Sequence, residues 1–598
     1  MPTGKLIIAN CSGFYGDRLS AAREMVHGGP IDVLTGDYLA ELTMAILYRK
    51  RTADPGGGYV GTFLKQMEEV LGACLEKGIR VVTNAGGLNP KGCAEALAAL
   101  ARRLGLTPRI AWIEGDDLMP RLARLQAEGE ALVHLDKGGA LKDAGLQPVT
   151  ANAYLGCWGI KQALDRGADV VVCPRVTDAA LVMGPAAWRF RWRRDDWDRL
   201  AGALAAGHIL ECGAQATGGN YAFFREVPSY DNVGFPLVEM HDDGSFVVSK
   251  HPGTGGLVSV GTVTAQLLYE VASPAYISPD VVAHFDTLDL RQEGPDRVRI
   301  EGCKGSAPPD TAKVCINLPG GHRNRMDVYL TGLDIPEKAR IVEDTLFQAL
   351  GGKQRFDRVE VRLLRTERED PESNEQALAT LRITVMAKDA KLAGRLFSAK
   401  VVELVLANIP GFSLAAPPED GAPYLIYWPA LVAKTKLKET VYLDGEAWEV
   451  PQLVGAHGAA PAPPRAASRP SPAGETLRLP FGRLFATRSG DKGGNANLGV
   501  WARTPEAHAF LRAYLTIAAL KKLLPDTAAY TIERYELPNL LALNFYIRGF
   551  LGDGASSSTR LDPQAKTLGE YLRAKWIAAP RALCPDEGAF AVDPSTAL

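Results

Sequence analysis

The stretch Ala168–Asp178, ADVVVCPRVTD, decides the fold. Its three consecutive valines are apolar on both faces, as expected of a strand covered on each side rather than half exposed. The run breaks at Pro174 into the polar Arg175-Val176-Thr177-Asp178, a turn at a strand-to-helix junction. The same grammar recurs toward the N-terminus. Lys5–Cys11 (KLIIANC), Ile31–Gly36 (IDVLTG), Arg80–Asn84 (RVVTN) and Arg109–Gly115 (RIAWIEG) are short apolar runs. Between them lie the helical patterns Phe63–Lys77, Cys93–Leu104 and Ile160–Arg166. Strands alternating with helices predict an α/β domain over residues 1–225, with a mostly parallel sheet and flanking helices.

From 226 to 457 the pattern changes to hairpin-like pieces. Val238–Val248 surrounds an Asp-Asp-Gly turn, and Arg297–Gly302, Lys313–Leu318, Asp327–Thr331 and Arg358–Leu364 are further strand candidates. Helices are expected over Pro336–Leu350 and Ala390–Asn408, so this part reads as an α+β domain. Residues 458–474 include the Pro/Ala tract GAAPAPPRAASRPSP, which has no apolar periodicity and reads as a linker. Residues 475–598 form a small two-layer α+β module. In it, strand Ala496–Trp501 follows an SGDKGG loop, helix Pro505–Leu524 comes next, and helix Asp562–Trp576 follows strand Leu540–Ile547.

The chain has 598 residues, 46% hydrophobic and 23% charged, with 67 basic against 69 acidic side chains. Several domains are expected at this length. The balanced charge argues against nucleic acid or an anionic membrane as partner. MPTGKLIIANCSG has too short an apolar stretch for a signal peptide, and no window approaches a membrane span. Nine scattered cysteines without a CxxC suit reduced thiols, so a cytoplasmic protein is expected. A chain of this size is also expected to form a homo-oligomer.

Ligands of open parallel sheets sit beyond the carboxyl ends of the strands. Here those ends carry Ser12-Gly13, Gly36-Asp37, Asn84-Ala85-Gly86-Gly87 and Arg175-Val176-Thr177-Asp178. Gln215, Gly218, Gly219 and Asn220 follow an apolar helix end. Glycine admits close backbone approach, and N–H groups at helix starts favour anions. Asp37, Asp178, Asn84 and Arg175 are therefore the candidate catalytic groups. The two aspartates would act as acid or base, Asn84 with Gly86 and Gly87 would hold a carbonyl, and Arg175 would pair with a carboxylate. Substrate contacts are expected from Ser12, Gly13, Gly86, Gly87, Thr177, Gln215, Gly218, Gly219 and Asn220. The polar loop 488–497 adds Arg488, Ser489, Asp491, Lys492 and Asn495, groups suited to an anion. Each glycine loop also has the simpler reading of a turn and helix cap. SGFYGDR lacks the spacing of GxGxxG, and GxxxxGK[ST], GxSxG and HExxH patterns are missing, so no cofactor is implied and no metal site is assigned. A divalent ion held by Asp37, Asp178 and Asn84 is the less favoured alternative. Cys11, Cys173 and Cys212 stand near the loops, and buried structural thiols are the commoner situation.

Six blocks together carry a family resemblance: NCSGFYGDR from Asn10, VLTGDYLAELTMA from Val33, VVTNAGGLNP from Val81, PRVTDAALVMGP from Pro174, ECGAQATGGNY from Glu211 and ATRSGDKGGNANLGVWAR from Ala486. The chain resembles the acyclic terpene utilization family AtuA, with the last block similar to that of its small appended domain. The resemblance implies a catabolic enzyme acting on a branched-chain, terpenoid-type acyl-CoA or related carboxylic acid. Such pathways carboxylate and hydrate a CoA thioester, then cleave a 3-hydroxy-3-methylglutaryl-like product. A C–C lyase or hydratase is the implied reaction, with the CoA thioester as substrate rather than cofactor. The alternative is a non-catalytic partner of an acyl-CoA carboxylase, docking through the C-terminal module. Known lyases of the hydroxymethylglutaryl type are metal-dependent barrels with histidine ligands. This sequence has neither an HxH pair nor an eight-fold strand–helix repeat, so a lyase here would stand on another scaffold.

Overall fold

In a computed structural model, residues 4–584 are described apart from 457–459, 463–468 and 473. Most of the expected linker at 458–474 thus lies outside the described residues. The predicted runs form β1 (Leu6–Asn10), β2 (Val33–Gly36), β3 (Arg80–Thr83), β4 (Ile110–Glu114), β5 (Thr150–Ala153) and β6 (Val170–Val172). Five of them make a parallel core in the order β1-β2-β3-β6-β4. The alternation along each strand explains why both faces are apolar. Leu34, Val81, Val170 and Val172 pack under helices Ala21–Gly28, Gly61–Lys77 and Pro90–Arg103. Ile8, Val33, Val82 and Val171 pack under Trp158–Asp165, Ala180–Phe190 and Trp197–Leu210.

The boundary expected near 225 does not divide this sheet. Pro236–Met240 pairs antiparallel with β1, and Phe246–Lys250, Arg297–Glu301 and Asp289–Gly294 extend it outward. Glu439–Leu443 and Glu446–Val450 close the other edge beside β4, giving eleven strands. Hairpins from the second half finish the sheet begun by the first, because antiparallel strands need no crossover helix to join it. A second sheet is built on Thr311–Thr331, one long strand that fuses two expected pieces. β5 pairs with it rather than with the parallel core, linking the two sheets. The helix expected over Ala390–Asn408 is kinked at Gly394 and is regular only over Phe397–Glu403.

The main sheet of the C-terminal module has four antiparallel strands in the order Ala486–Lys492, Asn495–Trp501, Ala542–Ile547, Ile532–Leu537, and Thr476–Pro480 pairs separately with Trp576–Pro580. The module's core holds Phe481, Phe485, Leu498 and Phe545. The expected helix Pro505–Leu524 splits in two because Thr516 caps a second helix at Ile517. Asp562–Trp576 is helical only over Leu568–Arg573, and Trp576 starts a strand. The segment 488–497 is a correction to the sequence reading. It is a tight hairpin in which Arg488 pairs with Gly499 and Lys492 with Asn495, leaving only Gly493-Gly494 as the turn. The glycines and charges suggested a loop, yet strand alternation places its polar groups on a sheet face.

That face docks on the core through three asparagines. Asn497 donates to Leu268 O (2.7 Å) and accepts from Glu270 N (2.8 Å). Asn544 donates to Val271 O (2.8 Å) and Ala272 O (3.1 Å), and Asn495 donates to Asp136 (2.8 Å). No helix among the described residues is long and apolar enough to cross a membrane.

Candidate functional site

A cavity of about 1030 Å³ opens at the carboxyl ends of the parallel strands. Asp37 enters it directly after β2, its backbone N–H bonded to Ser12 O at 3.0 Å. Asp178 arrives from the turn after β6, and Glu211 from the end of helix Trp197–Leu210. Their oxygens lie within 4.8 Å of one another. Two glycines allow this convergence. A Cβ on Gly207 would stand 2.6 Å from Ala179 Cα, so only glycine lets the Glu211 helix lie against the Asp178 turn. A Cβ on Gly13 would stand 2.6 Å from the Cys212 carbonyl carbon, where the first loop crosses Glu211's neighbour. Asn10 then ties the helix end to β1, donating to Leu210 O at 2.6 Å.

Two of the three carboxylates have an oxygen held by a side-chain hydrogen bond, and the third has a close imidazole neighbour. Asn84 donates to Asp37 Oδ1 at 2.6 Å, Arg175 to Asp178 Oδ1 at 3.1 Å, and His208 Nδ1 lies 3.0 Å from Glu211 Oε1. Burial, with Asp178 and Glu211 beside it, pushes the Asp37 carboxyl well above the usual range. Burial raises Glu211 likewise, with Asp178 and Glu270 adding to it. His208 is fully buried, which lowers it to about 4 and keeps it neutral near pH 7. Three oxygen donors this close can share protons or hold one cation.

A second cluster stands on the far wall. Glu41, at the start of helix Glu41–Ala53, faces Lys313 at 3.5 Å and accepts from Tyr154 (3.1 Å) and Tyr427 (3.3 Å). Burial would raise Glu41, but Lys313 and Arg175 outweigh it and hold the carboxyl at about 2. Arg175 is only 2% exposed, donates to Leu39 O at 3.0 Å and lies 4.4 Å over the Tyr154 ring. The C-terminal module completes the enclosure with Asp491, Lys492, Gln564 and Lys566. In all, Asp17, Glu41, Glu270 and Asp491 join the three clustered acids around the cavity, against Arg175, Lys313, Lys492 and Lys566. The mouth is apolar: Phe14, Leu42, Leu135, Ile277 and Leu431 line it and are exposed, Phe14 by 58% and Ile277 by 65%.

Of the residues expected from sequence, Asp37, Asp178, Arg175, Gly13, Thr177, Gln215, Gly219, Asn220, Asp491 and Lys492 line this cavity. Ser12, Asn84, Gly86, Gly87, Gly218, Arg488, Ser489 and Asn495 do not. Asn84 instead positions Asp37 and accepts from Tyr38 N at 2.8 Å. The Gly86 and Gly87 N–H groups are spent on Cys173 O and Asn84 O, so neither can hold a substrate carbonyl. Ser12 donates to Phe14 O, Ser489 accepts from Gly569 N, and Arg488 donates to Gln215 across the docking surface. Gly218 approaches Leu257 and Val227 instead. Burial pushes the Cys11 thiol up to about 12 and raises Cys173 and Cys212 too, which disfavours a thiolate nucleophile. Glu211, Glu41 and Lys313 were missed. Glu211 sits inside a quoted block, but a lone acid after an apolar helix gives no cue that it points inward.

The sequence matches the family model for the acyclic terpene utilisation family protein AtuA over residues 6–443, and that for the AtuA ferredoxin-like domain over residues 479–578. No curated protein matches it. Since the first match alone spans well over half of the chain and carries all three clustered acids, the protein belongs to the AtuA family of acyclic terpene utilisation, with an AtuA ferredoxin-like domain at its C-terminal end.

Proposed function

We propose that this chain is a catabolic enzyme acting on a branched-chain, terpenoid-type acid or its CoA thioester, as a C–C lyase or hydratase at the head group. The observation that carries this reading is the polarity gradient of the cavity, from clustered carboxylates and buried cations at its base to exposed apolar side chains at its mouth. A substrate with a carboxyl or thioester head and a branched hydrocarbon tail matches that gradient, because each part meets surface of its own polarity. Lyase and hydratase chemistry both place charge on a carbonyl oxygen and move a proton nearby. Arg175, Lys313 and Lys492 supply positive charge, and the Asp37–Asp178–Glu211 cluster meets the head group. Lys492 and Lys566 on the C-terminal module suit a carboxylate or phosphate of an incoming thioester.

A non-catalytic carboxylase partner with a free docking module is supported less well, since the module's sheet face is already engaged with its own core. A thermal-shift screen of branched CoA thioesters and free acids tests the reading, followed by product analysis on whichever ligand stabilises the chain. Saturating ligand at 100 times Kd adds about 2.7 kcal/mol. Asp178→Asn is expected to keep the fold and lose turnover by orders of magnitude. Wild-type turnover in that variant, or no stabilisation by any thioester or acid, refutes the proposal.

A further inference from the structure

We propose, building on the cavity assigned above, that Asp37, Asp178 and Glu211 bind a hard divalent cation, Mg²⁺ or Mn²⁺, at its base. The donor oxygens lie within 4.8 Å of one another. Ligands on opposite sides of such an ion stand about 4.2 Å apart at metal–oxygen distances of about 2.1 Å, so small side-chain shifts bring all three acids to one ion, with water or substrate oxygens filling the rest of its octahedron. Glu211 is 8% exposed, and its Oε2 is buried with no hydrogen-bond partner. An orphaned carboxylate oxygen is costly to bury, and a cation in the cluster satisfies it.

Two further observations point the same way. Asn84 and Arg175 each hold one oxygen of a different member of the cluster, the outer-shell arrangement that orients carboxylates toward a metal, and His208 Nδ1 stands 3.0 Å from the third without a hydrogen bond. The cavity also carries seven carboxylates against four cationic side chains. An anionic head group meets that base without repulsion when its raised carboxyls are protonated or when added positive charge stands between them. An all-oxygen donor set selects Mg²⁺ or Mn²⁺ over zinc, which prefers nitrogen and sulfur. In this arrangement the three acids are ligands, and the ion supplies the electrophile that polarises a carbonyl or carboxylate of the substrate.

The test titrates Mn²⁺ alone into the chelator-stripped full chain, reading loss of the free-ion electron paramagnetic resonance signal and the heat of binding, with Mg²⁺ as competitor. One site of micromolar affinity, displaced by Mg²⁺, is expected. Glu211→Gln and Asp178→Asn should each weaken it by at least about tenfold while circular dichroism stays native. Glu270→Gln, on the cavity wall outside the cluster, should leave it nearly unchanged. No Mn²⁺ binding by the wild type overturns the proposal whatever the variants do, as does undiminished binding in a folded Glu211→Gln. Should Glu211→Gln fail to fold, the more exposed Asp178→Asn gives the same comparison. Cation binding without any thioester or acid binding would leave this site standing and remove the substrate class. Ligand binding without a cation would do the reverse.

Discussion

Replacing Asn497 by alanine should undock the C-terminal module. Its side chain is fully buried and makes three hydrogen bonds, to Leu268 O (2.7 Å), from Glu270 N (2.8 Å) and to Asn544 Oδ1 (2.9 Å). At about 0.5–1.5 kcal/mol net for each bond, their loss costs about 1.5–4.5 kcal/mol. Leaving the partly buried Glu270 N–H and the Leu268 carbonyl unpaired keeps the result toward the upper half of that range. Urea unfolding followed by circular dichroism and calorimetry reads it. The wild type should unfold with the module coupled to the core, and Asn497→Ala should show an earlier transition for the module. Because segment 269–273 lines the cavity, the variant should also bind any cavity ligand more weakly. A midpoint within about 0.5 kcal/mol of wild type, the ordinary scatter of neutral surface changes, would refute docking through this residue.

Three other changes separate further parts of the argument. Glu439 is 2% exposed and burial raises it from its ordinary 4.5 to about 8, so its stabilising contribution is complete below pH 4.5 and is lost as pH rises through 8. Relative to wild type, Glu439→Gln should therefore gain stability between pH 5 and pH 9, by at most about 4–5 kcal/mol in urea midpoints. A difference that does not change with pH would contradict this. Gly207→Ala puts a methyl against Ala179 and should cost about 1–3 kcal/mol by thermal denaturation, while weakening Mn²⁺ binding as Glu211 is pushed from Asp178. Unchanged stability would mean that the helix does not sit as described. Cys212→Ala should retain turnover, and alkylation of the native chain should not abolish it, since burial disfavours the thiolate. Loss of activity in both experiments would restore the thiol as a nucleophile.

What could be read in the sequence follows from where its signals are local. Val170–Val172 and Val33–Gly36 are apolar on both faces because each strand touches helices on both sides, so periodicity alone revealed the parallel core. Asp37 and Asp178 are legible because they stand in the polar turns that follow such strands. Glu211 and Lys313 are not, since one ends a helix and the other lies within the apolar run KVCINL. Their burial is decided by partners far off in the chain, Asp37 for the first and Glu41 for the second. The hairpin 486–501 was hidden by its own composition. Glycine and charge normally mark loops, and only pairing with Ala542–Ile547 makes Asn495–Trp501 an interior strand, with Ala486–Lys492 as the edge beside it. Asn84 stands beside the cavity with its side chain taken up by Asp37 and Tyr38 N, because a strand-end asparagine serves a neighbouring carboxylate as readily as a ligand.

The grip of Asn497 and Asn544 on the core is made to main-chain carbonyls and an N–H of residues 268–272, not to their side chains. Such contacts do not depend on which amino acids occupy that segment. Tyr269 itself packs its ring under Arg488 and Gly490 of the module, and Val271 is buried in the core, whereas Glu270 and Ala272 also line the cavity. Mutational drift at positions 270 and 272 can therefore retune what the cavity accepts while the main-chain grip stays in place, so one scaffold can explore substrates of different length and branching.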